Sequence, residues 1–468
     1  MAAIPLEKTL YVGTFIHSES LTELDICPNG MIGVDEKGKI AFISRDVKGA
    51  PIPVQEGWEN AKIVRCDDGS GKNVGFFFPG FIDTHIHAPQ FPNAGIFGKS
   101  TLLDWLNTYT FPLESSFKDL NLAAKIYNRV VARTLSHGTT TACYYATIHV
   151  PATNLLADIC HSRGQRAFVG RVCMDHLSPD YYRDESAAES LEGTKACIAH
   201  VRHIDPDFDL VSPILTPRFA PSCSPAALEG LGKLHRDTGI PVQTHISENL
   251  AEIELVRKTF PESRHYADVY DSFGLLTPKT ILAHAVHLSA DERALIRARG
   301  AKISHCPASN TALTSGCCPV RQLLREGLTV GLGTDVSGGY TSSMLAECRE
   351  ALFTSRHLAM HSEPEAEVKL AVEEALYLAT RGSARVVGLE GKIGGFEVGM
   401  EWDAQMVRLA TVGDGLDLEE EKEGLVEIFG GESWGDKVAK WVYTGDDRNT
   451  MAVWVKGRLV HCRENFKP

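Results

Sequence analysis

From Gly75 onward, apolar runs of strand length alternate with amphipathic stretches of helix length. The strand-like runs fall at 76–86, 139–146, 166–174, 210–219, 241–247, 280–288, 302–306 and 329–334. Helix-like stretches lie between them at 121–136, 151–163, 187–204, 224–238, 289–298 and 320–326. Several open on a capping residue, as in Ser289-Ala-Asp-Glu292, and several end at glycine, as at Gly138, Gly164, Gly300 and Gly327. Eight largely apolar strands alternating with helices predict an α/β chain built as a (β/α)8 TIM barrel. A nine-stranded or open doubly wound sheet is the alternative. Short strands flank this series, at 8–12, 26–34 and 39–43 before it and at 402–407, 440–444 and 451–455 after it. Between barrel and tail lies a helical region over 344–357 and 364–380. The expected organisation is a barrel over 75–395 beside a small β-sheet domain that 1–74 and 396–468 form together.

Composition narrows the classes of function. The 468 residues are 43% hydrophobic and 23% charged, with a formal charge of −13 and no basic block. Such a surface is ill-suited to wrapping DNA or RNA, although a single base remains a feasible substrate. The 12 cysteines are scattered and form no Cys-x-x-Cys, which predicts reduced, mostly buried thiols. No basic-then-apolar leader opens the sequence, and no apolar stretch reaches the roughly 20 residues a membrane span needs. A cytoplasmic protein is the expectation.

The chemistry gathers at the predicted strand ends. In Pro79-Gly-Phe-Ile-Asp-Thr-His-Ile-His87, residues two apart share one side of a strand, so His85 and His87 face one interior together. His-x-His occurs by chance, but at the C-terminal end of a first barrel strand it occupies the active face of that architecture. His245 ends the fifth strand and Asp335 the eighth, which completes a set of three imidazoles and one carboxylate. That set suits zinc, with ferrous iron the alternative. Strand four carries no lysine to bridge two cations, so one metal is expected. Glu248, just past strand five, is placed to move a proton, although an acidic residue at the start of a helix is also ordinary capping. His284 on strand six would steady the attacking water or the leaving group, against the alternative of a satisfied core histidine. His287 and His305 read as structural.

These runs resemble the amidohydrolase superfamily and, more narrowly, its guanine deaminase family. The resemblance rests on His85-Ile-His-Ala-Pro-Gln90, Leu103-Asp-Trp-Leu106, Tyr109-Thr-Phe-Pro112, Thr216-Pro-Arg-Phe219, Thr244-His-Ile-Ser-Glu-Asn249, Ser304-His-Cys-Pro-Ala-Ser-Asn310 and Gly331-Leu-Gly-Thr-Asp-Val-Ser-Gly-Gly339. Ser337 stands where alanine is more usual, and the acidic segment 413–423 has no counterpart. The resemblance implies one Zn2+ on His85, His87, His245 and Asp335. It also implies catalytic roles for Glu248, His284 and Asp335, and a substrate site of Gln90, Arg218 and Phe219. Trp105 reads as helix packing. The implied reaction is addition of water at C2 of guanine with loss of ammonia, carried out by a homodimer that binds neither nucleic acid nor membrane. The rivals are another N-heterocycle on the same site, or a barrel that serves as a non-catalytic scaffold.

Overall fold

The structure is a computed structural model and describes residues 6–47, 56–67, 73–362, 364, 367–412, 426–464 and 466. The acidic segment 413–423 lies outside the described residues.

The strand-like runs become parallel strands in the order a (β/α)8 arrangement requires, but their ladder is not continuous. Phe81–His87, Thr139–Tyr145, Arg166–Gly170 and Val211–Pro213 form one four-stranded ladder. Val242–Ile246, Thr280–His284, Lys302–His305 and Val330–Leu332 form a second. The third and fourth runs each break and continue as Val172–Cys173 and Thr216–Pro217, which pair separately. Backbone bonds bridge the seams between ladders. A Leu215–Val242 bridge joins strands four and five. Between strands eight and one, the Asp335 N–H donates to the His85 carbonyl at 2.8 Å and the His87 N–H to that of Val336 at 3.0 Å. These bonds bring Asp335 alongside the two histidines.

One apolar run divides between two sheets. The expected strand over 76–86 is two strands, Asn73–Pro79 and Phe81–His87, and they part at Gly80. Asn73–Pro79 pairs antiparallel with Ala404–Thr411 and so belongs to a nine-stranded sheet built from both ends of the chain. It also crosses the boundary expected at 74–75. Pro79 has no N–H to continue a ladder. A side chain at Gly80 would have its Cβ 2.2 Å from the Thr140 side chain, so only glycine lets the chain pass from one sheet into the other. Phe76 and Phe78 pack edge-on against Trp441, while Phe77 packs with Tyr11 and Trp402, so the strand is buried on both faces.

The expected strand at 440–444 is the end of a helix, Trp434–Thr444. Ser433 caps it, and Asp436 returns the bond to the cap. Its buried face, with Val438, Trp441 and Val442, lies in the main core. A buried ion pair ties the barrel to the tail: Arg166, at the start of the third strand, meets Glu401 at 2.5 Å and Asp403 at 3.2 Å. No helix among the described residues is long and apolar enough to cross a membrane.

Candidate active site

His85, His87, His245 and Asp335 converge at one end of the parallel strands, with one ligand atom from each lying within 4.8 Å of all the others. Nε2 of His85 and of His87 lie 3.1 and 3.4 Å from Oδ1 of Asp335. Nε2 of His87 and Nε2 of His245 face each other at 3.2 Å. Nδ1 of His245 donates to the backbone carbonyl of Arg218, which leaves Nε2 as a lone pair. Burial depresses the pKa of all three imidazoles, which favours the neutral ring that a metal takes as ligand. Burial works against the Asp335 carboxylate, but the facing imidazoles hold its pKa well below the ordinary range. Three buried imidazoles crowd one carboxylate, with both ring nitrogens of His85 and Nδ1 of His87 lacking a hydrogen-bond partner among the described residues, an arrangement that is costly unless a cation lies among them. The donor set therefore fits a divalent metal ion.

The backbone is bent to present these groups. Ser247, His284, Ala285 and Asp335 all take positive φ, at 48°, 74°, 53° and 45°. Such geometry in residues other than glycine costs on the order of 1–3 kcal/mol each and concentrates at functional sites.

Glu248 is almost fully buried, and its pKa is pushed up to about 7 by that burial. Its Oε1 accepts from the Ser315 hydroxyl at 3.1 Å, and its Oε2 lies 3.4 Å from Nε2 of His284. The capping role belongs to its neighbours: Asn249 caps the Leu250–Thr259 helix, and Glu252 accepts the N–H groups of both Glu248 and Asn249. Glu248 is thus left free for chemistry. His284 donates from Nδ1 to Asn310 at 2.9 Å, which turns Nε2 toward Glu248 and Asp335. Burial opposes a charge on His284, but those two carboxylates outweigh it and raise its pKa. His287 is held by the Ser315 carbonyl, and His305 is buried outside the group that could hold a metal ion.

Gln90, Arg218 and Phe219 line the same cavity as His87, His245, Glu248, His284 and Asp335. Leu102, Trp105, Leu106 and Leu313 supply its apolar wall. Trp105 both packs and faces the cavity, so helix packing accounts for only part of its placement. Three neighbours were not read from the sequence. Glu114 bonds Gln90 and Arg218, Asn310 orients His284, and Asp83 accepts from Thr334 to lock strand one to strand eight. For Asn310 a signal existed in the Ser304–Asn310 run; for Glu114 there was none.

The chain belongs to the amidohydrolase family, whose sequence profile matches residues 76–460. Within that family it is similar to guanine deaminases. A probable guanine deaminase of Schizosaccharomyces pombe is 49% identical over 96% of this chain and 83% of its own length. The guanine deaminase of Homo sapiens is 38% identical over 98% of each chain. The crystal structure of guanine deaminase from C. acetobutylicum, with guanine bound in its active site, superposes with a TM-score of 0.85. It is 33% identical and covers 97% of this chain and all of that one.

Proposed function

We propose that this chain is a guanine deaminase, which adds water at C2 of guanine, releases ammonia and leaves xanthine. One observation carries the reading. Side chains fit to grip a purine edge, Gln90 and Arg218, share a cavity with the metal-ligating group and with a buried carboxylate poised near neutrality. The similarity to guanine deaminases over nearly the whole chain supports it.

His85, His87, His245 and Asp335 would hold one zinc ion. When bound, that ion supplies Lewis acidity, which makes water a competent nucleophile at neutral pH. The residues do the rest. Arg218 donates to the O6/N7 edge of the base, the contact arginine most often makes to guanine in DNA, and Phe219 packs against the ring. Glu248 takes a proton from the attacking water and delivers it to N3 as the C2–O bond forms. Asp335 receives the second proton and returns it to the exocyclic nitrogen. The C2–N bond then breaks and ammonia leaves. His284, held by Asn310, donates to the developing oxyanion or stays as its charged neighbour.

The test is ammonia and xanthine formation from guanine, with and without a chelator, beside metal analysis of the purified protein. The expected results are one zinc per chain, guanine turnover, and loss of turnover on chelation that zinc restores. Turnover of a triazine or a nucleoside in place of guanine would overturn the reading.

A further inference from the structure

Glu114 is fully buried beside the cavity, and nothing in the proposed chemistry uses it. It sits on a short helix, Phe111–Ser115, outside the parallel strands. Four donors meet its two oxygens. Oε2 accepts from Nη1 of Arg218 at 2.6 Å and from the Tyr182 hydroxyl at 2.8 Å. Oε1 accepts from Nη2 of Arg218 at 3.1 Å and from Nε2 of Gln90 at 2.7 Å. A buried carboxylate is costly unless paired and fully hydrogen-bonded, and this one is both. Arg218 is also stacked over Phe111 of the same helix, 5.1 Å from the ring centre.

The arrangement fixes more than position. The Gln90 amide gives one N–H to Glu114, and its Oε1 accepts the Ser337 N–H at 3.2 Å. Turned over, the amide would set its oxygen against a carboxylate and its NH2 against a backbone N–H, so one orientation alone is tolerated. Arg218, bidentate to Glu114, likewise keeps its remaining donors aimed one way. Both side chains then offer N–H donors to the same edge of a bound purine. A 6-oxo group accepts from such an edge, whereas a 6-amino group opposes it.

We infer that Glu114 is a positioning residue that sets specificity, holding Gln90 and Arg218 so that the cavity selects purines with a 6-oxo group over those with a 6-amino group. This rests on the reading of the cavity as a guanine site. The experiment measures binding of hypoxanthine and adenine by calorimetry, and kcat and KM for guanine, in wild type, Glu114→Gln and Glu114→Asp. Wild type is expected to bind hypoxanthine at least tenfold more tightly than adenine. In Glu114→Gln that preference should collapse by tenfold or more, with KM for guanine rising more than kcat falls. Glu114→Asp keeps the charge balance of the buried pair, so it remains informative where the glutamine variant does not fold, and its loss of preference should be intermediate. Equal weakening of both bases, or an unchanged ratio, in the variant that folds would overturn the inference, as would wild type with no preference. Failure of the guanine deaminase reading shows separately, as wild-type protein that releases no ammonia from guanine.

Discussion

Oε2 of Glu248 and Nε2 of His284 lie 3.4 Å apart across the cavity, each orientation fixed from behind by a neutral partner, Ser315 for the carboxylate and Asn310 for the imidazole. One group has its pKa raised by burial, and the other is kept protonated more readily by the first. They divide the proton handling between a carboxyl that burial brings to half ionisation near neutral pH and an imidazole whose positive charge that carboxylate favours.

Glu248→Gln should therefore lower kcat by roughly 10²–10⁴-fold while leaving metal content at wild-type level. The pH profile follows from the sign of the shift. Glu248 acts as a carboxylate, so kcat/KM should fall as the pH drops through about 7, where burial places its pKa. Activity that stays flat down to pH 5 would remove Glu248 from the role. Steady-state rates across pH, with metal analysis of each sample, decide it.

Asn310→Ala leaves the metal group untouched but frees His284 to turn or to move its proton to the other nitrogen. Its effect should fall on kcat rather than KM. One net hydrogen bond, about 1–1.5 kcal/mol, corresponds to a loss of up to about tenfold. Asn310→Asp restores an acceptor for Nδ1–H and should recover part of the rate. Kinetics of the two variants side by side give the test.

Most of the candidate site was legible in the sequence because the four candidate metal ligands fall at or just past the ends of parallel strands, where strand-like runs close. What failed had physical causes. The run 76–86 shows no polar gap between its two halves because Phe76–Phe78 are buried in one sheet and Phe81–Ile86 in another. Periodicity therefore shows no break, and only Pro79-Gly80 marks one. The Lys440–Thr444 segment is rich in β-favouring residues, yet the Ser433-x-x-Asp436 capping box upstream fixes a helix whose tryptophan and valines face the core. Glu114 was invisible for a different reason. Its partners Arg218 and Gln90 are 104 and 24 residues away along the chain, and a glutamate in a short helix after a proline looks like any solvated charge until the fold encloses it.

The Arg166 ion pair makes a prediction about stability alone. Arg166→Met removes the buried cation and leaves Asp403 without an ion-pair partner among the described residues and Glu401 with only the partly exposed Lys392 at 3.4 Å, which should cost about 3–5 kcal/mol. The triple replacement with Glu401→Gln and Asp403→Asn should recover part of that loss, because no uncompensated charge remains. Denaturant unfolding of both proteins checks the order. Guanine turnover per folded molecule should hardly change, since none of the three side chains lines the cavity.

Glu347 offers a cleaner pH dependence of stability. It lies in the first turn of the Met344–Ala359 helix, fully buried, with Oε2 accepting the Ala308 N–H at 3.2 Å and Oε1 without a hydrogen-bond partner among the described residues. Burial above all, reinforced by the nearby carboxylates of Glu350, Asp83 and Asp335, raises its pKa well above the ordinary 4.5. The folded protein keeps this proton at pH values where the unfolded chain has released it. Stability must then fall as pH rises above about 4.5, at up to about 1.4 kcal/mol per pH unit from this group, until the folded carboxyl itself ionises. Glu347→Gln fills the same space with a neutral amide that can still accept from Ala308. Relative to wild type it should be close to neutral at pH 5 and progressively more stable toward pH 8. Thermal midpoints of the two proteins that run parallel across that range would show that Glu347 does not hold a proton in the folded state.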